Sequence, residues 1–224
     1  MREKTDLSKA KDGRGIVTEK SYEAWKTARE AKSIGTACAL YDPIQRRTVN
    51  LLSQGEKKVF WALRWATTGA IYEQYPMNKD IVTEICRKLG YPAYSKVLST
   101  DFLVEKPDGD YAAFSIKPNA KVLEGKDRDR LIRRNNVEYY YWARFGVAHA
   151  MLFADDIDPT FAWNIRDVMF YWDSALATDT ASKFMFLLAH KVIQIDMTKG
   201  RIYPKELSTF YDVEEIYEAF NKQK

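Results

Sequence analysis

Only two cysteines occur in 224 residues, Cys38 and Cys86, and no short spacing joins them. Their scarcity argues against a disulfide framework or a cysteine-bound zinc, and it fits a reducing compartment. Histidine is as scarce, with His149 and His190 alone, so a histidine metal cage or a histidine general base is not expected. No apolar run approaches the ~20 residues of a membrane span. The first fifteen residues are polar and carry no signal-peptide core. Charge of one sign is lacking too: 35 basic against 31 acidic residues give +4. That balance permits nucleic-acid binding without demanding it.

What is present is an ordinary globular composition, 46% hydrophobic and 29% charged, with aromatics at 14% to fill a core. The length suits one large domain or a core with a small appendage. Residues 1 to about 20 read as a polar, mobile arm. Ser21 to Ala31 reads as a short helix, and Thr36 to Asn50 as a strand pair turning at Asp42-Pro43. Ser53 to Thr67 has Val59, Phe60, Leu63 and Ala66 at helical spacing. A strand over Ile71–Tyr75 follows, then a helix from Asn78 to Leu89, stopped by Gly90 and Pro92. Lys126–Phe145 reads as a long helix, Val147–Phe153 as an apolar strand, and Thr160–Trp172 as a helix. The last fifty residues read as helix, hairpin at Thr198-Lys199-Gly200, and helix, a winged-helix-like appendage. The division expected is an arm and first strands over 1–46, a core over 47–172, and the appendage over 173–224.

The chemistry gathers around a hairpin. Lys106-Pro107-Asp108-Gly109-Asp110 joins a proline that presets φ to a glycine that supplies a positive one. Closing it with Lys106 opposite Asp110 sets Asp101 opposite Ser115, with Lys117 diagonal on the same face. Apolar Val97-Leu98 and Phe102-Leu103-Val104 flank Asp101, so its strand is central and its carboxylate needs a partner. An edge-strand charge is the alternative. Lys117 also reads as a solvated strand end. Glu56 follows Ser53 by three, a capping box, yet it shares the stripe of Phe60 and Leu63, where a carboxylate is costly unless paired or ligating. Glu138 sits on the core side of its helix, with Arg134 at i−4 as a salt-bridge partner. His149 reads as a core histidine, and Asp155 and Asp156 as loop caps. Lys126, Arg128, Arg130, Arg133 and Arg134 make a basic helix face, either solvated or suited to phosphates.

Helix-borne Glu, strand-borne Asp, then x-x-Lys on the paired strand is the order of the PD-(D/E)-x-K nucleases. The runs Leu51-Leu52-Ser53-Gln54-Gly55-Glu56-Lys57-Lys58-Val59-Phe60, Glu73-Gln74-Tyr75-Pro76, Leu98-Ser99-Thr100-Asp101-Phe102-Leu103-Val104 and Ile116-Lys117-Pro118 resemble the TnsA endonuclease family of heteromeric DNA transposons. The helix with Glu138-Tyr139-Tyr140-Tyr141-Trp142 continues the likeness, which spans about residues 40 to 170. The resemblance implies an α/β, restriction-endonuclease-like fold with a mixed central sheet flanked by helices. It implies an Mg²⁺-dependent endodeoxyribonuclease that cuts one strand, the non-transferred one, at transposon ends. Partners implied are DNA, a DDE-type transposase and an AAA+ regulator, in a bacterial cytoplasm and nucleoid and not at a membrane.

The family's catalytic Glu, Asp and Lys map onto Glu56, Asp101 and Lys117. One or two Mg²⁺ or Mn²⁺ ions would be held by Glu56, Asp101 and the Ile116 main-chain carbonyl, with Ser115 and Glu138 as further candidates. Lys57, Arg128, Arg130, Arg133 and Arg134 would touch DNA. The departure is Ser115, where the family has Gln or an acid two residues before the Lys; Glu138 is expected to supply the missing charge. The alternatives are a related phage or repair nuclease, and a non-catalytic subunit bridging transposase and regulator.

Overall fold

The computed structural model describes residues 4–17, 21–31 and 36–222. The chain divides into two compact units: Met1–Asp42 with Arg47–Asp156, and Ile157–Lys224 with Pro43–Arg46.

In the first unit the polar start is not a loose arm where it is described. Asp6–Lys11 is a short helix, α1, capped by the Thr5 side chain. Asp6 accepts from the Val97 amide at 2.8 Å, and Arg14 is buried in an ion pair with Glu30 at 2.6 Å. Residues 1–3 and 18–20 of the expected arm lie outside the described residues. The helix expected over Ser21–Ala31 is also absent: 21–27 is irregular, followed by a single 3₁₀ turn at Ala28–Glu30. So short a helix is marginal alone, and tertiary bonds outbid it. Tyr22 Oη donates to the Glu73 carbonyl at 2.7 Å, and the Trp25 amide to the Gln74 carbonyl at 3.3 Å.

Strands β1 (Cys38–Asp42) and β2 (Arg47–Leu51) form an antiparallel pair of their own. Helix α2 (Gln54–Ala66) follows, then β3 (Ile71–Pro76), α3 (Lys79–Lys88), β4 (Ser99–Glu105), β5 (Tyr111–Lys117), α4 (Arg128–Ala143) and β6 (Ala148–Phe153). The central sheet runs β3-β4-β5-β6, antiparallel except for the β5–β6 pair, which α4 connects as a crossover. The hairpin register is the one Pro107–Gly109 predicts. The Lys106 amide donates to the Asp110 carbonyl at 2.7 Å, Gly109 sits at φ 86°, and Phe102 pairs with Phe114.

One face of the sheet carries α2, with Phe60 packed on Phe102 at 6.3 Å between ring centroids. The other carries the core of Val82, Ile85, Leu98, Leu103, Ala113, Val137, Tyr141 and Trp142 beneath α3 and α4.

Two buried ion pairs pin the small pair of strands. Arg47 donates to Glu73 at 2.7 Å, and Arg64 of α2 to Asp42 at 2.6 Å with both side chains fully buried. Arg64 also serves the Thr67 and Gly69 carbonyls. Replacing it strips a buried carboxylate of its countercharge, which costs about 3–5 kcal/mol. Arg64→Leu is therefore expected to lower the urea midpoint sharply, and the double change with Asp42→Asn to recover part of the loss.

The second unit is helical: α5 (Pro159–Met169), α6 (Thr180–Ala189), α7 (Pro204–Leu207) and α8 (Val213–Asn221). Phe186 of α6 meets Tyr217 and Phe220 of α8, and His190 stacks on Trp172 at 4.1 Å. The hairpin of a winged helix does not form, since no strand occurs among its described residues. The cause is Asn164 of α5, fully buried. Its amide donates to the carbonyls of Met197 and Gly200 at 2.8 and 2.7 Å, and its oxygen accepts from the Ile202 amide at 3.2 Å. A side chain thus satisfies backbone groups that a second strand would otherwise pair. No helix among the described residues is long and apolar enough to cross a membrane.

Candidate active site

β4 and β5 part where the hairpin reading placed the chemistry. β4 and β5 run to Ser99 and Lys117, but their ladder stops at Phe102↔Phe114. Beyond it, Asp101 replaces the backbone as partner: its Oδ2 accepts from the Ile116 amide at 2.6 Å. The strands also turn over here. Leu103 packs under α4, Phe102 points to α2, and Thr100, three residues before Leu103, again meets α4, accepting from Trp142 Nε1 at 2.8 Å. In β3, Tyr72 and Tyr75 both lie against the α3/α4 core. Between them Gln74 takes φ 49°, in the left-handed region, a conformation that costs a non-glycine residue about 1–2 kcal/mol.

The resulting cleft, about 370 Å³, is lined by Glu56, Asp101, Gln74, Ile116 and Lys117 among others, with Lys26, Arg130 and Arg134 adding positive charge. Glu56 keeps its capping role while lining the cleft. Its amide donates to Ser53 Oγ at 3.1 Å, and its Oε2 accepts from the Leu52 amide at 2.9 Å. Burial and the Asp101 carboxylate push Glu56 up to about 8. Lys117 Nζ donates to the Ile116 carbonyl at 2.9 Å, which brings a cation and a main-chain oxygen to the same edge.

The other expected residues are placed differently. Ser115 donates to Glu138 in a short hydrogen bond, and its Oγ lies 3.4 Å from His149 Nε2. Glu138 takes Ser115 on Oε2 and Arg134 on Oε1, the latter at 2.7 Å. Burial alone would raise its pKa, but the Arg134 guanidinium and bonds from His149 and Ser115 outweigh that and hold it at about 2. Ser115 and Glu138 thus face each other and do not line the cleft. The charge of Glu138 serves Arg134, which also donates to the Ser99 carbonyl at 2.7 Å and so is fixed at the cleft wall. His149 is a core histidine of this network, its side chain 2% exposed.

Of the basic residues, Arg130 and Arg134 line the cleft. Arg128 and Arg133 are exposed along α4, and Lys57 is half-buried on α2. Arg130 lies 3.4 Å from Asp127, and Arg128 lies 3.6 Å from Asp129. Gln74, Lys26 and Tyr94 were not expected in the cleft. Gln74 stood in the motif Glu73-Gln74-Tyr75-Pro76, but two-residue alternation gave no sign of its turned backbone.

The donors suit a hard divalent cation. Two carboxylates meet at one edge with a main-chain carbonyl beside them, and a small cation such as Mg²⁺ is commonly held by one or two carboxylates plus water. Among the described residues no group of three Asp, Glu, His or Cys side chains converges, so an all-side-chain cage is not the pattern here.

No protein-family model matches the chain. Over 198 residues it is 28% identical to transposon Tn7 transposition protein TnsA of Escherichia coli, a span covering 85% of this chain and 69% of that protein. The runs that suggested the resemblance, around Glu56, Gln74, Asp101 and Lys117, are the ones that line the cleft, and the chain as a whole is similar to a TnsA-type transposition protein.

Proposed function

We propose that this protein is a divalent-metal-dependent DNA endonuclease with a restriction-endonuclease-like core, cutting the non-transferred strand at transposon ends as one subunit of a heteromeric transposase. The observation that carries this reading is the meeting of Glu56 and Asp101 in a cleft that Lys26, Lys117, Arg130 and Arg134 also line. Two carboxylates invite a cation, and the surrounding positive charge invites a phosphate.

Glu56, Asp101 and the Ile116 carbonyl would hold Mg²⁺ or Mn²⁺. A divalent ion bound there supplies Lewis-acid polarisation of the scissile phosphate and a more acidic bound water. Lys117 offsets charge developing on the phosphorane-like transition state or orients the attacking water. Arg134, preorganised by Glu138 and the Ser99 carbonyl, and Arg130 hold the strand through its phosphates. A transposase subunit cutting the other strand and an ATPase regulator are the partners the family likeness supports.

The test is cleavage of end-bearing DNA in the presence of the partner transposase. Mg²⁺ should give one nick per end, a chelator should abolish it, and Lys117→Ala should slow it by roughly 10²–10³-fold. Equal nicking with the chelator, or by the Lys117 variant, would overturn the reading.

A further inference from the structure

Among the described residues three non-glycine residues adopt positive φ, and Gln74 is the one that does so inside a strand. Such an outlier persists only where the surroundings enforce it. Here the enforcement is visible. The carbonyls on either side of the turned residue are taken from outside the sheet, Glu73 O by Tyr22 Oη and Gln74 O by the Trp25 amide. The side chain this delivers is 2% exposed and aimed into the cleft. Its Nε2 donates to Asp101 Oδ1 at 3.2 Å, while its Oε1 accepts from Ser99 Oγ at 3.0 Å. The hydroxyl, itself buried, orients the amide with nitrogen toward the carboxylate.

Asp101 is thereby held at both oxygens, Oδ1 by Gln74 and Oδ2 by the Ile116 amide. Its plane is fixed and its remaining lone pairs are left for a ligand. The amide supplies Asp101 with a donor in a cleft where Glu56 is a second carboxylate that would otherwise repel it.

We propose that Gln74 is a positioning residue, whose side-chain amide, oriented by Ser99, presets the Glu56–Asp101 pair for a divalent cation. The inference rests on the nuclease reading above and adds a residue to it. Hydrogen-bond partners of ligating carboxylates typically change metal affinity by 10–100-fold when removed.

The experiment is calorimetric titration of the full chain with Mn²⁺, without DNA, alongside thermal unfolding without metal. Gln74→Gly removes the amide but accepts φ 49° without strain, so it should melt near wild type. Its Mn²⁺ dissociation constant should rise about 10–100-fold, and cleavage in the transposase mixture should recover as Mn²⁺ is raised. Ser99→Ala, which leaves the amide in place but lets it rotate, should shift Mn²⁺ binding the same way by less. Unchanged Mn²⁺ binding in Gln74→Gly overturns this inference and leaves the nuclease reading standing. Should that variant not fold, unchanged binding in Ser99→Ala does so. A wild-type chain that binds no Mn²⁺ overturns both.

Discussion

Asp101→Ala will abolish strand cleavage, by roughly 10²–10³-fold or more, while the protein unfolds within a few degrees of wild type. The loss follows from geometry: Asp101 lines the cleft at the fork where β4 and β5 part, and a cation held there would lose one of its two carboxylates. The near-neutral stability follows from opposing effects. Two hydrogen bonds disappear, from Ile116 and Gln74, each worth about 1 kcal/mol. Against this, the like charge that helps push Glu56 up to about 8 is removed. Cleavage of end DNA in the transposase mixture, read beside a melting curve, checks both halves. Cleavage at the wild-type rate sinks the assignment of Asp101, and collapse of the fold would mean its role is structural.

Glu56→Gln should abolish the fall in stability between about pH 4.5 and 8 in metal-free protein. The folded carboxyl is raised from 4.5 to about 8 by burial and then by Asp101. Between those values the folded state binds more protons than the unfolded one, so stability falls as pH rises from about 4.5 to about 8 and stays low above. The glutamine has no proton to lose and removes that decline. It should be the more stable protein at pH 8, by on the order of a few kcal/mol, and near wild type at pH 5. Mn²⁺ should restore the wild type at pH 8, because the ion binds the ionised form. Glu138 bends the curve at the other end. Its folded carboxyl, held at about 2, contributes stability present above about 4.5 and lost as pH falls toward 2. Urea unfolding from about pH 2 to about 8.5 with and without Mn²⁺ tests both ends, and parallel curves for wild type and Glu56→Gln above pH 4.5 would refute the Glu56 part.

Much of this was legible in the residues. The Pro-Asp-Gly turn predicts the register of β4 on β5, and the flanking apolar runs predict that β4 is central. The stripe through Phe60 brings Glu56 to the sheet. What misled was strict alternation. It sets Ser115 beside Asp101, but β3 and β4 turn over at Gln74 and Asp101, and Ser115 goes to Glu138 and His149. That turn depends on bonds from Tyr22 and Trp25, about fifty residues away, which no local window contains. The missing wing has a similar origin in Asn164, more than thirty residues before the backbone groups it satisfies. A short helix from Ser21 fails for the same reason, because the distant Gln74 carbonyl claims the Trp25 amide that a local turn would use.

The early end of the β4–β5 ladder also makes one amide a reporter. Ile116 N–H is tied to a side-chain carboxylate where its neighbours in the sheet are tied to carbonyls. Amide protons exchange with solvent as their bonds open, so exchange at Ile116 follows the state of Asp101 while exchange at Phe114 follows the sheet. Deuterium uptake at those two positions, two residues apart, therefore separates loosening of the fork from unfolding of the protein.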